Sequence, residues 1–283
     1  MTMSIATTLQ SVRQQLARVS DSAGLDADVL LCHVLAKSRT FLYTWPEREL
    51  TQTQLESLQK LVERRLTGEP IAYLTGSREF WSLELDVSPD TLIPRPDTEL
   101  LVEIALELLP AASAAQQVLD LGTGTGAIAL ALASEKPNWQ ICGVDRVPEA
   151  VALAQRNQQK LQLGNARFFE SDWFSALGDE KFYLIVSNPP YIDNDDEHLR
   201  QGDVRFEPRS ALVADDQGLQ DFQKIISAAA DYLSAEGWLL FEHGYEQGAA
   251  VRDLLRESGF IHVQTRCDLA GHERATFGQW LLA

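Results

Sequence analysis

Val118-Leu119-Asp120-Leu121-Gly122-Thr123-Gly124-Thr125-Gly126 (118–126) sets the fold class. A short apolar run of strand type breaks into a glycine-rich turn, and a helix is expected after the turn through Ala133. Glycine lets a backbone turn tightly and approach a bound molecule without interference from a Cβ. From this turn outward, strands and helices alternate. Further strands are expected from Gln140 to Val144 with Asp145 at the end, from Ala166 to Glu170, over 182–187, from Trp238 to Glu242, from His262 to Cys267 and from Thr276 to Leu281. Pro148-Glu149 opens a helix running to about Leu161. Leu219, Phe222, Ile225, Ile226, Ala229 and Leu233 mark another, and Val251, Leu254 and Leu255 a third that Gly259 stops. The βαβαβ order predicts an α/β chain with a mostly parallel, doubly wound sheet and helices on both faces.

Upstream the pattern is helical. Ile5, Leu9, Val12, Leu16 and Val19 fall on one face of a first helix, and Leu30, Leu31, Val34 and Leu35 suggest a second. Thr51 caps a third with Leu55, Leu58, Leu61, Val62 and Leu66 inside, and Gly68 and Pro70 stop it. Residues 1–73 are therefore expected to form a small N-terminal helical bundle. Alternating Leu83, Leu85 and Val87 after Phe80-Trp81 predict a linking β-hairpin within 74–93. The α/β domain then runs over 94–283. It opens on a helix in LIPRPDTELLVEIALELLP, with Pro96 at its first position and Pro110 closing it.

The chain has 283 residues, of which 45% are hydrophobic and 23% charged, proportions of a folded soluble protein. No run approaches the roughly 18 apolar residues of a membrane span, and neither a secretory signal nor lipidation is expected. Cys32, Cys142 and Cys267 lack metal-type spacing and are expected as reduced thiols in a cytoplasmic protein. The five histidines form no metal-ligand pattern, so no metal is expected. The net charge of −17 is uneven: residues 1–75 hold 8 basic and 8 acidic residues, whereas 76–283 hold 16 and 33. That balance lacks the basic footprint of a nucleic-acid binder.

In a doubly wound sheet, ligands bind beyond the carboxyl ends of the strands. Three features fall there: the turn Gly122, Thr123, Gly124, Thr125, Gly126; Asp145; and Ser187-Asn188-Pro189-Pro190-Tyr191. Asp145 follows Gly124 by 21 residues, at the end of the next strand, where a carboxylate can accept both hydroxyls of a ribose. These features together call for a nucleoside-containing cofactor. The dinucleotide fingerprint G-x-G-x-x-G is not met, because Ala127 stands where its third glycine would fall. The arrangement resembles the D-x-G-x-G-x-G motif of the class I, Rossmann-like S-adenosylmethionine-dependent methyltransferases, whose product is S-adenosylhomocysteine. In that frame Ser171-Asp172-Trp173 follows the third strand, where adenine is held. Asp172 reads equally as a cap or as an adenine contact, and Trp173 as an apolar wall for the base.

Pro189 and Pro190 contribute no N–H donors, and proline keeps Asn188 out of helical geometry. A stiff strand end thus offers an amide side chain, unpaired carbonyls and the Tyr191 ring, which suit a planar, hydrogen-bonding substrate. A rigid strand-to-loop corner is the plain alternative. The acidic run 193–197, followed by Arg200, Arg205 and Arg209, reads as a solvated loop, or as a mobile lid over 193–210.

The whole chain resembles the protein-(glutamine-N5) methyltransferase family that modifies peptide-chain release factors, the HemK/PrmC family. REFWS (78–82), LIPRPDTE (92–99), DLGTGTGAIAL (120–130), SDWF (171–174), SNPPYI (187–192) and RFEPRSAL (205–212) match its pattern. The resemblance implies methyl transfer from S-adenosylmethionine to the glutamine of a Gly-Gly-Gln motif in release factors. Asn188, Pro189 and Tyr191 would be catalytic, Asn188 to Tyr191 would bind substrate, Asn188 would also contact the cofactor together with Gly122 to Gly126, Asp145, Asp172 and Trp173, and the helical bundle would help dock the substrate. The expected partner is a release factor, with no nucleic acid, no membrane and a monomeric enzyme. Asn-Pro-Pro-Tyr also occurs in amino-methyltransferases of DNA adenine, so the motif names the kind of nucleophile rather than the polymer. A methyltransferase of another protein or of a nucleic-acid exocyclic amine, a dinucleotide-dependent oxidoreductase and a non-catalytic binding protein are the competing readings.

Overall fold

A computed structural model describes residues 3–109, 115–200 and 202–281. The expected helix stop at Pro110 lies outside the described residues, as does residue 201 within the expected lid. The chain divides into two compact units, Met1–Ser77 with Arg200–Phe206, and Arg78–Leu199 with Glu207–Ala283.

The first unit is helical. It holds α1 (Ile5–Leu16), α2 (Ala23–Leu35), α3 (Arg39–Thr44), α4 (Gln52–Leu66) and α5 (Ile71–Thr75). Two short strands, β1 (Met3–Ser4) and β2 (Glu49–Leu50), pair antiparallel. Ser4 caps α1 by accepting from the Thr7 N–H, and Thr51 forms a reciprocal capping box with Gln54 at the start of α4. Leu9, Leu16, Leu30, Leu31, Leu58 and Val62 interdigitate in its core. Val19 departs from the expected stripe: α1 ends at Leu16, and Val19 is 44% exposed beyond it. Asp28 is buried, which opposes its ionisation. Hydrogen bonds from Tyr43, Arg13 and Arg39 outweigh that and hold its carboxyl below the usual range. Arg65 is largely buried and donates to Asp26 Oδ2 at 2.9 Å, and to Asp203 Oδ1 at 3.4 Å. Arg205 donates to the Thr67 carbonyl at 2.7 Å. Gly68 has φ +92°, and a Cβ there would meet the Arg205 guanidinium, so this approach of the 200–206 segment requires glycine.

The second unit begins with the hairpin of β3 (Ser77–Phe80) and β4 (Leu83–Asp86). Trp81 and Ser82 take left-handed φ at its turn. Trp81 is tied there by its N–H to Glu99 Oε1 and its indole N–H to Glu135 Oε1, both at 2.8 Å. A 3₁₀ turn (Pro96–Thr98) leads into α6 (Glu99–Leu108), so the α-helix starts three residues later than Pro96 suggested. The main sheet comprises β5 (Gln117–Leu121), β6 (Gln140–Asp145), β7 (Ala166–Glu170), β8 (Phe182–Ser187), β9 (Leu233–Glu242), β10 (Ile261–Cys267) and β11 (Glu273–Gln279). Its strand order is β10-β11-β9-β8-β5-β6-β7, parallel from β9 to β7, with β11 antiparallel to both of its neighbours. Helices α7 (Ala127–Glu135) and α8 (Pro148–Leu161), the kinked turn α9 (Asp215–Gly218), α10 (Gln220–Ala229) and α11 (Gly248–Glu257) complete the unit.

Both faces of the sheet are covered, which explains the near-continuous apolar strands. Val118, Ile141, Leu184, Val186 and Leu240 pack on one side, with Leu101 of α6 and Leu130 of α7. Leu119, Leu121, Val144, Ile185, Leu239 and Phe241 pack on the other, with Phe222 of α10 and Val251 of α11. Leu233 begins β9 rather than ending a helix. It pairs with Phe182, and the Phe182 N–H bonds the Tyr232 carbonyl at 2.8 Å, so strand pairing overrides the helical spacing of that leucine. The last strand is likewise shifted from Thr276–Leu281 to Glu273–Gln279, because its register with β9 matches Ala275 to Glu242 and Gln279 to Trp238. Among the described residues no helix is long and apolar enough to cross a membrane.

Candidate active site

The strand order turns back on either side of β5, which pairs with β6 and β8, and a cleft lies at the carboxyl ends of these strands. Its lining brings together Gly122, Thr123, Gly124, Thr125, Asp145, Asp172, Trp173, Asn188 and Pro190. Three residues named from the sequence stand outside that lining. Gly126 is the left-handed N-cap of α7, at φ +83°, with its N–H on the Thr123 carbonyl at 2.8 Å. Pro189 is buried. Tyr191 is half-buried, and its hydroxyl donates to Glu242 Oε1 at 3.3 Å.

The glycine turn is held from beneath. The N–H groups of Gly122 and Thr123 both donate to the Val144 carbonyl at 2.9 Å. Asp120 anchors the turn from within the strand, its Oδ2 accepting from Thr123 Oγ1 at 2.6 Å. Gly124 has φ +55° and donates its N–H to Asp145 Oδ2 at 2.9 Å, while Val147 donates to Asp145 Oδ1 at 3.0 Å. Each carboxylate oxygen keeps a second lone pair, so Asp145 can still accept from a ligand hydroxyl. Burial pushes the Asp145 carboxyl up, against the backbone N–H bonds of Val147 and Gly124 that favour its charged form. The turn after β7 is tied by Ser171 rather than by Asp172: Ser171 Oγ accepts from the Ala176 N–H at 3.0 Å and donates to the Trp173 carbonyl at 2.8 Å. Trp173 is a non-glycine residue at φ +49°, the kind of strained geometry that clusters at ligand sites.

Several lining residues lie in stretches that the sequence marked only through the resemblance, without assigning them to the site. Leu92, Pro94, Arg95 and Thr98 come from the stretch before α6, and Ser210 and Ala211 from a later loop. The two stretches are joined by Glu207, a fully buried carboxylate that accepts the Ile93 N–H at 2.9 Å and pairs with Arg95. Arg146 adds a bond to the Ser210 carbonyl at 3.1 Å. Asn157 of α8, also fully buried, donates to the carbonyls of Thr125 and Asp86 at 2.9 and 3.0 Å and accepts the Asp86 N–H at 2.7 Å. Asn157 was invisible in the sequence, and the role of Glu207 could not be read there, because their partners are remote along the chain. RFEPRSAL was the signal that could have found Glu207.

The donor set fits an adenosine-type group. Leu92, Pro94, Ile128, Val147 and Trp173 supply apolar walls, and Asp145 supplies a carboxylate beside a turn in which Gly122, Gly124 and Gly126 carry no Cβ. Asn188 sits on the same cleft and donates Nδ2 to Thr98 Oγ1 at 3.4 Å. That bond occupies the nitrogen end of the amide and leaves the oxygen end for a ligand. Among the described residues no cluster of His, Cys, Asp and Glu could hold a metal ion.

Comparison with known proteins gives the following. A family model described as "PrmC N-terminal domain" matches residues 7–76, and one described as "Methyltransferase small domain" matches residues 97–204. The chain is 56% identical to the release factor glutamine methyltransferase of Vibrio cholerae over 99% of this chain and 98% of that protein. It is 58% identical to the release factor glutamine methyltransferase of Pseudomonas aeruginosa over 92% of this chain and 94% of that one. Among solved structures, a methyltransferase from Pyrococcus furiosus superposes with a TM-score of 0.54 at 16% identity, covering 78% of this chain and 98% of that one. That last likeness shows the fold.

Proposed function

The chain belongs to the release factor glutamine methyltransferase family, and from that premise we propose that its cleft binds S-adenosylmethionine and methylates the side-chain amide nitrogen, N5, of the glutamine in a release factor's Gly-Gly-Gln motif. The observation that carries this reading is Asn188, on the same cleft as the glycine turn and Asp145, with its amide nitrogen on Thr98. Asp145 takes the ribose hydroxyls, the turn 122–126 passes its backbone along the adenosine, and Trp173 and Asp172 flank the base. When bound, the cofactor supplies an electrophilic methyl on a sulfonium sulfur.

The difficulty lies in the nucleophile. An amide nitrogen shares its lone pair with the carbonyl, as a peptide nitrogen does. Asn188 Oδ1 accepts one N–H of the substrate amide and the Pro189 carbonyl accepts the other. With both hydrogens held in one plane, the nitrogen's π lone pair points out of that plane toward the methyl. Two acceptors also raise electron density on nitrogen as positive charge develops. Tyr191 stacks on the amide plane and fixes its tilt. A bound cofactor would supply the methyl and keep the sulfur as a neutral thioether, and the surplus proton would leave the amide nitrogen for water afterwards, so no base is needed before attack. Positioning supplies much of the rate.

Residues 1–73 dock the release factor, 74–93 link, and 94–283 carry the chemistry, in a cytoplasmic, monomeric enzyme. The test is incubation of the protein with labelled S-adenosylmethionine and a purified release factor, followed by mass spectrometry of the modified residue. The expected product carries one methyl on the glutamine of Gly-Gly-Gln. A methyl on any other residue type would sink the reading.

A further inference from the structure

Strands β8 and β9 leave the sheet side by side, with Ser187 paired to Phe241. The chain after β8 is Asn188 to Tyr191, and the chain after β9 is the corner 242–247 that leads into α11. The two stretches meet at Tyr191, at both ends of that residue. Its hydroxyl donates to Glu242 Oε1 at 3.3 Å, and its carbonyl accepts Gln247 Nε2 at 3.0 Å. Gln247 is the N-cap of α11, a position whose side chain ordinarily turns back onto its own helix, yet it makes no such bond. Its amide reaches outward instead. Oε1 accepts the Gly244 N–H at 2.9 Å, which locks the corner, and Nε2 also donates to the Gln217 carbonyl at 3.1 Å. The segment holding Gln217 is shaped to this contact: Asp216, Gln217 and Gly218 are left-handed in succession, at φ +55°, +54° and +79°. Non-glycine residues keep that conformation in a run only where their surroundings over-determine it. A Cβ on Gly218 would run into the Tyr191 carbonyl oxygen and the Gln247 amide nitrogen, so the approach requires glycine. Glu242 and Gln247 both stand outside the lining of the cofactor cleft.

Resting on the methyl-transfer reading above, we propose that Gln247 and Glu242 are positioning residues, a clamp on Tyr191 that grips its carbonyl and its hydroxyl and so sets its ring against the substrate amide. The need for a clamp follows from the sequence. Pro189 and Pro190 have no N–H, so neither can fasten this strand end by donating to a neighbour. It must be held through carbonyls and side chains, and the Pro189 carbonyl has to stay open for the substrate N–H. Gln247 takes the Tyr191 carbonyl and leaves that of Pro189 free. A carboxamide suits the task because it carries an acceptor at one end and two donors at the other. The oxygen fastens to Gly244, one N–H goes to Tyr191 and the other to Gln217. A carboxylate of the same shape would keep the bond from Gly244 but would face two carbonyls with acceptors alone. Held by its carbonyl only, Tyr191 could still swing its ring about the side-chain torsions. Glu242 stops that swing at the hydroxyl end.

The experiment uses the full-length enzyme and the variants Gln247→Glu and Tyr191→Phe. Methyl transfer to a purified release factor gives kcat, and binding of S-adenosylmethionine is measured separately. Gln247→Glu keeps the length of the side chain and loses both donors. It is expected to lower kcat about tenfold, the scale of one lost hydrogen bond. Its Kd for S-adenosylmethionine is expected to stay within about threefold, since Gln247 is not on the cleft. Tyr191→Phe keeps the ring and releases only the grip of Glu242, and a kcat loss of similar size is expected. Ring signals of carbon-13-labelled tyrosine report the geometry without any substrate, that of Tyr191 being assigned by its disappearance in Tyr191→Phe. In Gln247→Glu the Tyr191 signal is expected to move while those of Tyr183 and Tyr232, in the same unit, stay in place. A general loss of structure would move all three. A Gln247→Glu enzyme with wild-type kcat, with an unmoved Tyr191 signal, or with cofactor binding weakened as far as kcat would overturn the clamp. So would a Tyr191→Phe enzyme with wild-type kcat. Should Gln247→Glu fail to fold, Gln247→Met, equally long and uncharged, is judged by the same criteria. Absence of methyl transfer by the wild type would reject the underlying reading, whereas the Tyr191 signal tests the clamp independently of it.

Discussion

Asp120 is 1% exposed in an apolar strand, with Oδ2 on Thr123 and on the Ala129 N–H, and with Oδ1 unpartnered among the described residues. Burial pushes its carboxyl up to about 7, against the pull of those two bonds. The sign follows from linkage. Its folded pKa exceeds the unfolded value of about 3.9, so its contribution is full below pH ~4 and is lost as pH rises to about 7. In that window the wild type is expected to lose about 1.4 kcal/mol of stability per pH unit relative to Asp120→Asn, with a constant difference above it. Urea unfolding of both proteins at several pH values checks this, and parallel profiles would refute it. Asn188→Ala is expected to reduce methyl transfer by roughly a hundredfold or more, the scale of lost positioning. Cofactor binding should remain, as equilibrium titration can show. At this scale the sequence exposed the residues whose roles are tied to neighbours in the chain, such as Gly124 in its turn and Asn188 before two prolines. It hid Asn157, Glu242 and the role of Glu207 within RFEPRSAL, because a buried polar side chain declares itself only through partners that the fold brings to it.

Among the elements, β6 and α8 place the cleft floor. A Cβ on Gly143 of β6 would lie 2.5 Å from the Phe168 ring and 2.8 Å from Thr123 Oγ1. Gly143→Ala is therefore expected to cost about 1–3 kcal/mol by overpacking and to weaken cofactor binding by displacing Thr123. Denaturant melts and cofactor titration read the two effects separately. Asn157→Ala leaves the Thr125 and Asp86 carbonyls and the Asp86 N–H without their buried partner, an expected loss of about 3 kcal/mol. Faster hydrogen exchange at the glycine turn would accompany it. The long helices α1, α4 and α8 were legible from apolar spacing and caps, because local pattern and packing agree there. β9 was legible only in its second half. Its first residues carry a bulge, with Glu236 at φ +60°, and Leu233 continues the helical spacing of α10. The short helices α3 and α5 are below the length at which periodicity can be read.

For the molecule as a whole, the cleft is lined entirely by residues of the second unit. An enzyme lacking residues 1–73 is therefore expected to keep S-adenosylmethionine binding. It should lose more activity on intact release factor than on a short Gly-Gly-Gln peptide, and equal losses on the two substrates would refute the docking role. The loop that follows Tyr191 is closed at its base, where the Ile192 N–H bonds the Leu212 carbonyl at 2.9 Å and the Ala214 N–H bonds the Ile192 carbonyl at 3.1 Å. If 193–210 acts as a lid, its hydrogen exchange slows on adding release factor, and unchanged exchange removes that role. The alternation of elements and the charge asymmetry between the two parts of the chain were readable without coordinates. The membership of Arg200–Phe206 in the helical unit was not, since it rests on Arg65–Asp203 and Arg205–Thr67, pairs separated by 138 residues.

That interrupted unit carries a consequence for biosynthesis. A ribosome releases residues 1–77 first, and Asp203 and Arg205 arrive only after 78–199 have emerged. At about 5–20 residues per second, the wait is on the order of ten seconds. During it, Arg65 has Asp26 but lacks Asp203, and the Thr67 carbonyl awaits its arginine. The bundle is thus born open at the edge near Gly68, and the last piece it receives is made after most of the other unit.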